Sequence, residues 1–363
     1  MTDTKKQNSL YRFLELDILK TLAIISIILA HSVLFKDPEI DKTAFYFNQF
    51  RNFEVVMLVW ISAGLGFISI FKKELNFWTY FKKRIFRLIL PVWLFYGFFY
   101  FFYNWYYETL NPAIFDDNFP DFFLGVFTFG ILGYPHYIWV IRVFLVTSIL
   151  TYLIHFLSKR INFFWIFGIQ LGSFLILNYF YFFNPSKIDF ILKNDWLKSI
   201  GIEIISYGLV ISHGYFLYQD LKAKDSKKTL FLFILGVFYL ALFFVLNYLK
   251  LGSIDLRIIQ ENKYPPVFFY ILYGLAMSFF VYSLLSFLIK LVIFLTNYLK
   301  SKLKNLNSKL SQSTILNNIL NFTKIIFNKF ISIIHWISGA TLSIYLWHVF
   351  SITFLRTKYF QTE

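Results

Sequence analysis

The chain contains no cysteine among its 363 residues, which excludes disulfides, thiolate metal sites and a cysteine nucleophile and leaves the redox compartment open. Charge is scarce: Asp, Glu, Lys and Arg make up 15% of the residues against 58% apolar ones, a balance that excludes an ordinary water-soluble domain. Acidic residues are the rarer sign, 20 against 35 Lys and Arg, giving a net charge of +15. Also missing are an internal repeat, a Gly-rich phosphate loop, an HExxH motif and a G-x-S-x-G elbow. No metal site is expected.

What is present is a series of apolar runs near twenty residues long. They predict spans near 14–35, 53–71, 88–107, 137–157, 162–183, 198–218, 229–249, 267–289 and 331–355. All are read as helices, because lipid offers backbone groups no other partner. The stretch Phe119 to Gly133 is a tenth candidate, short and bounded by Pro120 and by Gly133-Tyr134-Pro135, and reads better as a re-entrant or interfacial piece. The fold class is therefore an all-α polytopic membrane bundle of about nine to ten helices. It forms one domain over 1–363.

The positive charge has a location rather than a nucleic-acid partner. Lys5, Lys6 and Arg12, then Lys72 to Arg87, Lys159 and Arg160, Lys222 to Lys228, and Lys290 to Lys329 occupy alternate loops, which the positive-inside rule makes cytoplasmic. The intervening loops hold Glu108, Asp116, Asp117 and Asp121 or mixed charge, as suits an outer face. A cytoplasmic N-terminus follows. Met1 to Leu10 is polar and the first apolar run is full length, so a retained span is expected rather than a cleaved signal. The segment at about 297–330, rich in Lys, Asn and Ser with spaced Leu and Ile, reads as a basic amphipathic linker lying on the inner leaflet.

Two constellations carry chemistry. In the first span, Lys20 and His31 are eleven residues apart, which at 3.6 per turn puts them within about 20° on one helical face and roughly 16 Å apart along the axis. Asp17 lies about 60° from Lys20, so a narrow polar stripe must face protein or water. Either Lys20 snorkels to the inner interface and His31 is a hydrogen-bonded core histidine, or His31 is a general base with Lys20 a fixed charge below it. In the second constellation, Lys83, Arg84 and Arg87 open a span that continues to Pro91. Three residues apart, the two arginines share a face that suits a polyanion, although topology alone also predicts basic residues there.

These residues carry a resemblance to the acyltransferase 3 family, bacterial integral-membrane O-acyltransferases that decorate cell-surface sugars. Arg12, Glu15, Asp17 and Lys20 followed by His31 are similar to its opening pattern. Arg84, Arg87 and Pro91 match its R-x-x-R and proline. His136, Trp139 and Arg142 resemble its tryptophan-centred span start, and Thr341-Leu-Ser343-Ile-Tyr345-Leu-Trp347-His348 its closing motif. Two departures stand out. Lys20 replaces the usual Arg and so lacks the planar bidentate fork. Ser62-Ala63-Gly64 replaces a Ser-Gly pair, which keeps close helix packing in view.

The resemblance implies transfer of an acyl group, most often acetyl, from cytoplasmic acyl-CoA to a hydroxyl of a surface polysaccharide or lipid-linked glycan. His31 would act as general base or acyl relay. Lys83, Arg84 and Arg87 would hold the phosphates of acetyl-CoA, with Glu15, Asp17 and Arg142 supporting. Trp139, Tyr345 and His348 would stand on the acceptor side. Succinyl-CoA is the alternative donor, its carboxylate received by Lys20 or Arg142. Asp17 is the expected partner of Arg142, and Tyr264-Pro265-Pro266 is expected in the first turn of a span. Partners are acyl-CoA, glycan, lipid and other polysaccharide-biosynthesis membrane proteins, and the location is the cytoplasmic membrane. A polysaccharide transporter or exporter without chemistry is the rival reading, since a polar stripe also describes a substrate pathway.

Overall fold

The computed structural model describes residues 14–31, 51–110, 124–128, 139–194, 196–223, 226–307, 328–348 and 351. Every regular element among them is helical. The long helices are α1 (Leu14–His31), α2 (Glu54–Lys73), α3 (Phe77–Leu110), α4 (Trp139–Ser158), α5 (Phe163–Phe183), α6 (Ile202–Ala223), α7 (Ser226–Leu251) and α8 (Phe268–Asn307). A broken pair, α9 (Asn328–Gly339) and α10 (Thr341–His348), is bent by 67°.

Six described helices are long and apolar enough to cross a membrane, or seven if the bent pair is one span. α1 is outside that set, with Glu15, Asp17 and Lys20 among its eighteen residues. The described residues thus show six or seven of the nine to ten spans expected. Two spans differ in form from those expected. The 88–107 span is part of a 34-residue helix that starts at Phe77, and the 331–355 span is broken at Gly339–Thr341. The linker expected at 297–330 begins as helix, because α8 runs on to Asn307. The 119–133 candidate lies mainly outside the described residues, with one short turn from Leu124.

Short turns set the register of the helices. Glu74 adopts a left-handed conformation at φ 47° and ends α2. Asn76 then starts α3, its side-chain oxygen accepting from the Thr79 N–H at 2.8 Å. Only three residues separate the helices, so the opening turns of α3 are held against the end of α2. Asn162 caps α5 in the same way through Phe164 N–H at 3.0 Å. Pro265 and Pro266 precede α8, which begins at Phe268, so they stand ahead of its first turn rather than in it. The Tyr264–Pro265 bond is cis.

α2 is the hub, packed against α1, α4, α6 and α8, with 72% of its apolar window buried. Small residues make its closest crossing. A methyl group at Gly214 would come within 2.6 Å of the Ala63 Cβ, and one at Gly64 within 2.7 Å of Leu217 Cδ2. The close packing expected of Ser62-Ala63-Gly64 is therefore realised against α6. Trp60 fixes the same crossing by donating to the His213 carbonyl at 3.0 Å. α5, α7 and α8 are peripheral, with less than a third of each apolar window buried. Their outer faces suit lipid.

A cationic cavity as candidate active site

One cavity of about 480 Å³ brings together Lys20, Lys83, Arg84, Arg87 and Tyr345 of the residues singled out above. α1 contributes Lys20, Ile24 and Ile27; α2 contributes Leu58, Ile61, Ser62 and Ser69; α3 contributes Tyr80, Lys83, Arg84, Arg87 and Pro91. Val140 and Ile141 of α4 close one side. Ser338, Gly339, Thr341, Ser343 and Tyr345, on both sides of the α9–α10 break, close another. From Ser69 to Leu58 the lining follows α2 for eleven residues, roughly 16 Å at 1.5 Å per residue.

The lining is graded. Lys20, Lys83, Arg84 and Arg87 cluster towards the end where α2 finishes in Lys72 and Lys73, the hydroxyls of Ser62, Ser69, Ser338, Thr341 and Ser343 are spread along the lining, and the end near Leu58, Val140 and Ile141 is apolar. No carboxylate lines it among the described residues. Lys83, Arg84 and Arg87 form no ion pair with another described residue. Arg84 lies over the Tyr80 ring, 5.4 Å from its centroid. Arg87 stands in the opening turns of α3, ahead of the stretch read as the span. Burial first, and the neighbouring Arg84 charge second, pull its pKa below the usual guanidinium value. Gly66 makes room for this arrangement: a Cβ there would meet Tyr80 Oη at 2.9 Å and Arg84 Nη2 at 3.4 Å.

Pro91 adds a local effect. With no N–H it cannot donate to the carbonyl four residues earlier, so the main chain at Arg87 loses one helical bond beside the cavity.

Lys20 shares its charge with Asp17, Nζ to Oδ1 at 2.8 Å. Asp17 also accepts from His335 Nδ1 at 2.7 Å and from Ser338 Oγ at 2.5 Å. It therefore faces α9, not Arg142 as expected. Arg142 instead forms a two-pronged pair with Glu203, Nε to Oε2 at 2.9 Å and Nη2 to Oε1 at 2.6 Å. Both side chains are nearly shut off from solvent. Glu15, half-buried on α1, lies within electrostatic reach of Tyr282 and away from the cavity lining.

His31 closes α1, and its side chain lies outside the described residues. Position 31 nevertheless continues the series 20, 24 and 27, whose three residues line the cavity. The expected acceptor-side residues divide. Tyr345 lines the cavity and its ring stands 5.0 Å from that of His348. Trp139 is elsewhere, edge-on to Tyr264 at 5.0 Å.

Sequence reasoning missed His335, Ser338 and Glu203. The first two carried a signal of the kind used for Arg84 and Arg87, polar residues three apart in an apolar segment. Glu203 carried none that local spacing reveals. A second buried ionic group was also missed: Glu54 Oε1 holds Arg51 Nη1 and Lys263 Nζ, each at 3.3 Å.

A family model described as an acyltransferase domain matches residues 13–362, essentially the whole chain. No curated protein and no solved structure matches it.

Proposed function

The chain belongs to the acyltransferase domain family, and on that premise we propose that this multi-pass membrane protein moves an acyl group from acyl-CoA to a hydroxyl of a surface polysaccharide or lipid-linked glycan. Acetyl is the group proposed, and the cytoplasmic membrane the location. The observation that carries the reading is the grading of the 480 Å³ cavity, cationic at one end and apolar at the other. Coenzyme A has the complementary form: phosphates at one end, a slender amide arm, and a thioester at the tip. The volume falls within the roughly 300–1,000 Å³ typical of small-molecule sites.

In this reading Lys83, Arg84 and Arg87 hold the phosphates through charge-assisted bonds. The arm runs past Lys20 and the hydroxyls of Ser62 and Ser338 towards Ile27. A sugar hydroxyl is a poor nucleophile near neutral pH, so a base must remove its proton as the thioester carbon is attacked. His31, next in the series beyond Ile27, is the residue proposed for that step. As base it takes the hydroxyl proton, the thioester C–S bond breaks, and coenzyme A leaves as the thiol after protonation. As relay it carries the acyl group on imidazole in between.

His31→Ala tests the reading. Acylation of the surface glycan, followed by mass spectrometry, is expected to vanish while protein level and glycan export stay as in the parent. Lost export with full acylation of the residual glycan would favour a transporter instead.

A further inference from the structure

Asp17 ties the first helix to the last immediately ahead of the break in the last span. Both of its oxygens are engaged: Oδ1 by Lys20 Nζ and Ser338 Oγ, Oδ2 by His335 Nδ1. His335 and Ser338 are three apart on α9 and therefore share a face, which is turned to α1. Around them Leu14 and Ile18 of α1 pack with Ile331 and Ile334 of α9, and Thr21 Oγ1 reaches the Ile334 carbonyl at 3.4 Å. One residue beyond Ser338 the helix ends, and the chain turns by 67° into α10. The Thr341 hydroxyl covers the Ser338 carbonyl at the break, at 2.7 Å. From Ser338 to Tyr345 the broken segment supplies one wall of the cavity.

We propose that Asp17, His335 and Ser338 form a clasp that positions this broken span as the movable wall of the donor cavity. These are positioning residues, acting on the ligand through the wall they hold. The inference rests on the reading of that cavity as the acyl-CoA site. A charge-assisted bond between part-buried groups is strong enough to hold a helix that bends by 67° just beyond it. An ordinary helix staple would act on stability alone. A clasp set beside a break acts on where the wall stands.

The absence of cysteine makes the test clean, because spin labels attach only where cysteines are introduced. Ile333→Cys on α9 and Phe164→Cys on α5 are both exposed positions outside the cavity lining. In purified full-length protein carrying this labelled pair, Asp17→Asn is expected to broaden the distribution of label separations. Coenzyme A binding measured by calorimetry is expected to weaken roughly tenfold, about 1.4 kcal/mol. Ser338→Ala, a milder change, is expected to shift both in the same direction by less. Unchanged label separations in both variants overturn the proposal, as does a broadened distribution with coenzyme A binding equal to the parent's. If separations broaden but the parent itself binds no coenzyme A, the clasp stands and the donor reading falls.

Discussion

Around Glu54 and Arg142 the bundle buries five charged side chains and matches them within the protein: Arg142 with Glu203 across two helices, and Arg51 and Lys263, both in turns, with Glu54. Around Arg84 it does the reverse. Three cations stand together at the cavity mouth with no carboxylate among the described lining residues to meet them. The first region is the costly one to build, because its charges are buried. In the first the cost is offset by the opposite charge within the protein; in the second Lys83 and Arg87 are exposed and Arg84 half-buried, which leaves them open to an anion from outside. What sets the proposed donor end apart from these matched pairs is therefore cationic charge beside a cavity with no carboxylate among its described lining residues.

The contrast can be broken most directly at the matched pair. Glu203→Ala leaves the Arg142 guanidinium buried without its carboxylate, and a loss of about 3–5 kcal/mol is expected, read as a large fall in melting temperature and in folded yield. Arg142→Met together with Glu203→Leu should recover most of that stability. If the double variant also transfers acyl groups, the pair is structural; if it folds and is inactive, the division drawn above fails. At the mouth the opposite pattern is expected. Arg84→Ala with Arg87→Ala should raise the acyl-CoA concentration for half-saturation by tenfold or more, about 1.4 kcal/mol, with melting temperature unchanged or slightly raised as like-charge repulsion is relieved. A collapse of folding without a change in donor saturation would reduce these arginines to topology signals.

Smaller changes sharpen the comparison. Gly66→Ala places a methyl group 2.9 Å from Tyr80 Oη and 3.0 Å from Thr151 Cγ2, so the Tyr80 ring under Arg84 must shift. A rise of about threefold in donor half-saturation is expected with a modest stability loss, below about 1.5 kcal/mol. Smallest of all is Lys193→Ala, which removes an exposed pair with Asp189. It should alter stability by less than about 1 kcal/mol and leave donor saturation alone.

Parts of this arrangement were legible in the sequence because they are written in local spacing. Lys20, Ile24 and Ile27 share a stripe by helical arithmetic, and Arg84 and Arg87 share a face for the same reason; the cavity joins the two sets. The partner of Arg142 was not legible. Asp17, an acidic residue of the opening pattern, was the plausible choice, yet the partner is Glu203, 61 residues beyond Arg142, and the choice between them depends on how α4 packs against α6. The extent of α8 was hidden by Lys290, which resembled the inner boundary of a span although the helix continues for seventeen more residues. The break after Ser338 was equally hidden, since Gly339 and Ala340 are small residues of a kind that intact membrane helices also use.

The length of α8 has a consequence for the outline of the molecule. Forty residues at 1.5 Å make a rod of about 60 Å, twice the roughly 30 Å of hydrocarbon it can traverse. Even leaning at 40°, the steep end of ordinary tilts, it would reach about 46 Å along the bilayer normal. At least a third of the rod must therefore stand clear of the oil like a mast on a hull. In projection, such a protrusion would tell one side of the membrane from the other at a glance.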